Sequence, residues 1–150
     1  MKLSKIDRKK GVFPMANRIM LNQTSYHGAG AIEEIANEAK AHAFRKAFVC
    51  SDPDLIKFGV TAKVTDILDR EGLAYEIYSD IKANPTIENV KNGVAAFKAS
   101  GADLIVACGG GSVMDAAKLA SVLVTDDYGV KELLDNPGMA QKCVPIVLIP

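Results

Sequence analysis

Histidine is scarce in this chain, which has His27 and His42 and no others. Neither has a partner three or four residues away, so the spacing that builds an H-x-x-x-H metal centre is missing. Cys50, Cys108 and Cys143 are an odd number without a C-x-x-C pair, which argues against a zinc framework or a disulfide scaffold. Cys50 and Cys108 lie inside apolar runs, where a free cysteine acts as a small hydrophobe. Those features read as a reduced, cytoplasmic chain. Charge of one sign is not in excess either: 18 basic and 18 acidic side chains cancel. No basic field therefore argues for nucleic acid or an anionic membrane. No apolar run reaches membrane-spanning length, and none has the flanks of a signal peptide. Internal repeats and low-complexity segments are absent.

What is present is ordinary globular material. At 150 residues, 49% of them hydrophobic, the chain fits one domain with a real core. Residues 1–14 are rich in lysine and arginine and carry little apolar pattern, so a disordered leader is expected there. Translation beginning at Met15 would account for it. Beyond it, residues 15–150 read as a single domain. Residues 18–21 suit a short strand, and Gly28 and Gly30 mark a turn. Helices are expected over residues 31–41, 60–71 and 87–99, the last with Ile87, Val90, Val94 and Phe97 on its apolar face. Strands are expected near residues 47–50, 73–78, 103–108 and 145–149, the last of them buried. A short helical turn is expected near residues 131–134. Strands alternating with helices in this way imply an α/β fold, with βαβ units around a parallel sheet.

The most informative stretch runs from Asp103 to Lys118. An apolar strand pattern, Leu104 to Cys108, stops at Gly109-Gly110-Gly111-Ser112, and a helical pattern follows at once. Glycines permit a sharp turn and a close backbone approach to a ligand. Ser112 is a good helix N-cap, with the helix expected from Val113. The first amides of that helix, at the positive end of its dipole, form a site for phosphate. A strand-to-helix turn that binds nothing has the same composition.

The string Gly-Gly-Gly-Ser-x-x-Asp-x-x-Lys over residues 109–118 resembles the signature of the iron-containing (group III) alcohol dehydrogenases. The segment from Met15 to Thr24 resembles the opening of the lactaldehyde (1,2-propanediol) reductase branch. Val64-Thr65-Asp66, Asn84-Pro85-Thr86, Ser100-Gly101-Ala102-Asp103 and the closing Pro145 to Pro150 agree. Dehydroquinate synthase and glycerol dehydrogenase have related nucleotide domains but match the opening and Asn84-Pro85-Thr86 less well.

The resemblance implies a Rossmann-like parallel sheet flanked by helices, binding NAD. By its register Asp52 is the ribose-binding acid, whose charge disfavours a 2′-phosphate and so selects NAD over NADP. A plain cap for the turn before Pro53 is the other reading of Asp52. Asn84 is implied as a further cofactor contact, and Gly110, Gly111, Ser112, Val113, Met114 and Asp115 as the surroundings of the pyrophosphate. The acid precedes the glycines here, the reverse of the usual dinucleotide fingerprint. His27 stands where relatives often have an aromatic, and is read as a half-buried substitute for it. His42 is read as solvated.

Family members hold iron in a second, all-helical domain through an aspartate and three histidines, and these 150 residues carry no such set. The expectation is therefore the NAD-binding domain of an oxidoreductase acting on a small alcohol or aldehyde. It would have no catalytic residues or metal ligands of its own, and would be inactive alone. Iron would belong only to a full-length enzyme. A stand-alone, non-catalytic nucleotide-binding or dimerisation module is the alternative. The strand near residues 18–22 is exchanged between subunits in relatives, which makes a homodimer conceivable.

Overall fold

The computed structural model describes residues 23–82, 84–125 and 128–150. The leader, the start at Met15, and the strand and dimer contact expected near residues 18–22 lie outside the described residues.

Four strands, β1 (Lys46–Ser51), β2 (Ala74–Tyr78), β3 (Leu104–Cys108) and β4 (Ile146–Ile149), form one sheet in the order β2-β1-β3-β4. Every pairing is parallel. Parallel neighbours cannot be joined by a hairpin, so each connection crosses over through a helix. The crossover helices are α2 (Pro53–Lys57) and α3 (Ala62–Arg70), α4 (Ile87–Ser100), and α5 (Gly111–Leu123) and α6 (Val130–Asp135), while α1 (Glu34–Ala41), entered through a 3-10 turn at Ala31–Glu33, precedes β1. Among the described residues no helix is long and apolar enough to cross a membrane.

The period of two along each strand divides the core. Ala47, Val49, Leu104 and Val106 point to one face, where Ile35 of α1 and Val64 and Leu68 of α3 cover them. Phe48, Cys50, Ile105 and Ala107 point to the other, beneath Phe97 of α4 and Val113 and Ala117 of α5. Phe48 anchors this second layer. It stacks on Tyr78 at 5.4 Å and meets Phe97 edge-on at 5.5 Å. Burying one such side chain stabilises the fold by about 1.5–3 kcal/mol. β1 and β3 are covered on both faces, which is why their sequences are almost uninterrupted apolar runs.

Several expectations are corrected. β4 is an edge strand and is half-exposed along its length, because β3 alone pairs with it. Ile87 opens α4 beyond the sheet and is exposed rather than buried. His27 is also exposed, so it replaces no buried ring. His42 is solvated as expected, beside Glu38 and against the ring of Phe44. The short α2 had no periodic signal. It forms because Asp52 caps it and Pro53 suits the first helical position.

Asp103 lies just before β3 and ties the starts of the two central strands together. Its carboxylate accepts from the amides of Arg45 at 3.0 Å and Lys46 at 3.1 Å, and from Arg45 Nε at 3.3 Å. Partial burial pushes its pKa up, but the donors from Lys46 and Arg45 outweigh that and hold it below the usual range. A carboxyl lowered in the folded state adds stability above its unfolded pKa, about 3.9. That stability is lost as pH falls through the lower, folded value. Asp103→Ala is therefore expected to cost about 1–3 kcal/mol at neutral pH. Its urea midpoint should fall less steeply than the parent's on acidification below about pH 4.

Candidate functional site

The strand order reverses at the centre of the sheet. From β1 the chain steps outward to β2, then returns across β1 to β3. Open parallel sheets bind ligands beyond the carboxyl ends of the strands at such a switch point. Ser51 and Cys108, the last residues of β1 and β3, are register partners. The loops leaving them, Asp52 on one side and Gly109 to Ser112 on the other, therefore flank a single crevice.

The three glycines do different work. Gly109 has φ +153, and a Cβ on it would lie 2.9 Å from Val113 Cγ2 and 3.4 Å from Leu55 Cδ1. Leu55 belongs to α2, so the two loops pack on each other at this point. Gly110 is the N-cap of α5 in extended conformation, and its carbonyl accepts from the amides of Val113 and Met114, both at 3.1 Å. A Cβ on Gly110 or Gly111 would meet nothing within 4 Å. The space above those two residues is open.

Ser112 is not the N-cap. The helix starts two residues earlier than expected, at Gly111, and no side chain caps it. The bare backbone of Gly110 lets the cap carbonyl turn in without a side chain to place, which moves Ser112 to the second helical position. With the cap contributed by a glycine, the amides of Gly110, Gly111 and Ser112 find no acceptor among the described residues. Three donors thus cluster at the positive end of a 13-residue helix, a combination that suits an anion.

Asp52 caps α2, its Oδ1 accepting from the Leu55 amide at 2.9 Å. Both readings of this residue remain compatible with the geometry, because Oδ2 makes no hydrogen bond among the described residues. The Cys108 thiol is pushed up by burial first and then by the charge of Asp52. Because Ser51 pairs with Cys108, Asp52 lies beside the end of β3, next to the glycine turn.

Asn84 adopts φ +58, a left-handed conformation that asparagine tolerates better than most residues. It is exposed on the turn before α4, where Thr86 and Asn89 form a capping box. Crossover helices begin at the carboxyl edge of the sheet, so Asn84 shares that edge with the glycine turn, though no hydrogen bond joins them. Val113 is buried in the core beside Phe48. The amides of Val113 and Met114 are used within the helix. Asp115 is exposed and pairs with Lys118 at 3.3 Å. The structure thus places Asp52 and the Gly110–Ser112 turn just past the ends of two adjacent strands. Gly109, the first glycine of the expected turn, packs against Leu55, which nothing in the spacing marked. Among the described residues no three His, Cys, Asp or Glu side chains gather where they would hold a metal ion.

Comparisons with known proteins converge. The family described as iron-containing alcohol dehydrogenase matches residues 22–150. The chain is 40% identical over 138 residues to lactaldehyde reductase of Escherichia coli K12, covering 91% of this chain and 36% of that protein. It is 37% identical over 129 residues to sulfoacetaldehyde reductase of Bilophila wadsworthia, covering 83% of this chain and 32% of that protein. Among solved structures, NADH-dependent butanol dehydrogenase A from Thermotoga maritima superposes with a TM-score of 0.77 at 28% identity, over 89% of this chain and 34% of its own. Sulfoacetaldehyde reductase from Bifidobacterium kashiwanohense, solved in complex with NAD+, gives 0.71 at 25% identity, over 82% of this chain and 32% of its own. The chain spans about a third of the length of the relatives it matches.

Proposed function

The chain belongs to the iron-containing alcohol dehydrogenase family, and from that premise we propose that its switch-point crevice binds NAD as the cofactor half of an oxidoreductase acting on a small alcohol or aldehyde. The observation that carries this reading is the uncapped start of α5, where three unpartnered amides border the open space above Gly110 and Gly111. These residues fit the pyrophosphate, which needs close backbone approach and clustered N–H donors. The Asp52 carboxylate, across the crevice, suits the ribose hydroxyls. Its charge opposes a 2′-phosphate and favours NAD over NADP. Asn84, on the same edge, is the further contact. NAD supplies a hydride acceptor or, reduced, a donor.

The described residues offer no cluster of His, Cys, Asp or Glu that fits an iron site, so the part we propose for them is cofactor binding alone. Lactaldehyde-type substrates are the chemistry we carry over from a 40% identical relative, lactaldehyde reductase. For the 150-residue polypeptide itself we expect weak NAD binding and no turnover of 1,2-propanediol or lactaldehyde, with or without ferrous iron.

Calorimetry of this polypeptide with NAD and with NADP tests the reading. NAD should bind and NADP should bind more weakly. In Asp52→Ser that preference should shrink by about tenfold, the equivalent of about 1.4 kcal/mol. Serine is itself a good cap, so the thermal midpoint should barely move. An unchanged preference in Asp52→Ser removes the ribose assignment, and no binding of NAD by the parent removes the proposal. Turnover by the polypeptide would contradict the expected inactivity.

A further inference from the structure

Behind the crevice, two buried hydroxyls hold the peptide from which the glycine turn departs. Ser51 is fully buried and Thr61 is 2% exposed. Ser51 Oγ donates to the Cys108 carbonyl at 3.0 Å, and Ser51 Oγ and Thr61 Oγ1 are 2.7 Å apart. A serine has one hydroxyl proton. Since Ser51 gives its proton to Cys108, Thr61 must be the donor in the second bond. The result is a directed chain from Thr61 to Ser51 to the Cys108 carbonyl, in a region closed to water, where such chains reinforce each other.

The peptide unit that joins Cys108 to Gly109 is held at its other end as well. The Gly109 amide donates to the Ile149 carbonyl at 3.0 Å. One neighbouring strand therefore grips the oxygen of this peptide and the other neighbouring strand grips its hydrogen. The amides of Gly110, Gly111 and Ser112 come next in the chain, and their directions follow from the tilt of this plane.

We infer that Ser51 and Thr61 are positioning residues for the nucleotide, setting the aim of the α5 amides at the pyrophosphate through the Cys108–Gly109 peptide. The inference rests on the reading of the crevice as a nucleotide site. It assigns these hydroxyls no contact with the ligand.

The test compares NAD with adenosine, which lacks the phosphates, by amide-shift titration of the parent chain and of Ser51→Ala, Thr61→Val and Thr61→Ser. Removing either hydroxyl should weaken NAD by about tenfold, the scale of one lost buried hydrogen bond, and leave adenosine unchanged. Thr61→Ser keeps the donor and should bind NAD like the parent. Should Ser51→Ala fail to fold, Thr61→Val, of nearly unchanged shape, carries the same comparison. Equal weakening of NAD and adenosine would mean general loosening and overturns the positioning role. So does unaltered NAD binding in Thr61→Val, with the nucleotide reading left standing. A parent chain that binds no NAD overturns both.

Discussion

Gly111→Asp should abolish NAD binding and leave the fold intact. The variant puts a carboxylate into the open space over the start of α5, where a Cβ meets no atom within 4 Å. If a phosphate belongs in that space, two negative groups then compete for the same amides. At a separation of about 4 Å and an effective dielectric constant of about 20, the repulsion is about 4 kcal/mol. That corresponds to a loss of several hundredfold in affinity. Stability should move the other way. Position 111 is the first residue of α5, where an acidic side chain complements the helix dipole by about 0.3–1 kcal/mol. The expected result is a thermal midpoint equal to or above the parent's, together with no measurable heat on titrating NAD. Gly111→Ala separates charge from bulk and should retain part of the binding. If Gly111→Asp binds NAD as the parent does, no phosphate occupies this turn.

How far the residues announced this arrangement depends on the kind of information each position carries. The runs that became β1 and β3 were legible because a strand covered on both faces leaves no room for polar alternation. Ile146–Ile149 looks the same in one dimension, yet it is an edge strand. Sheet order comes from long-range packing that no local pattern records. The helix start was misplaced for the opposite reason. Intrinsic preference favours Ser112 as a cap over glycine, but the flexible backbone of Gly110 turns its carbonyl into that role first. Ile87 has the periodicity of a core residue, but its place at the very start of α4 carries it past the sheet. Asp52 and the glycine run were legible as a candidate site only through resemblance, since their order is the reverse of the usual fingerprint. Ser51 and Thr61 were not legible at all. Ten residues and a short helix separate them, and nothing periodic links two hydroxyls that meet only after β1 and β3 have paired.

The same turn supports a second expected result, this time on stability. Gly109→Ala should cost about 2–4 kcal/mol, from an unfavourable backbone conformation and from overpacking together. At φ +153 an L side chain is strained, and the new methyl would sit 2.9 Å from Val113 Cγ2. Val113 has nowhere to go. It is buried among Phe48, Phe97 and Ile105, and its own helix is fixed by the bonds to the Gly110 carbonyl. Leu55, 3.4 Å away, closes the other side. Gly110→Ala, one residue on, has an ordinary negative φ and open space, so it should change stability by no more than about 1 kcal/mol. Urea unfolding of the two variants, with the parent alongside, separates them. A large loss for Gly109→Ala with a small one for Gly110→Ala means that the first glycine serves the fold and the next serves the ligand. Equal effects would mean that the turn is held by something other than the contact with Val113. NAD binding should then rank the variants differently from stability: Gly110→Ala, harmless to the fold, should weaken binding by filling the approach to the amides. A turn built only to join a strand to a helix has no reason to produce those two opposite orders.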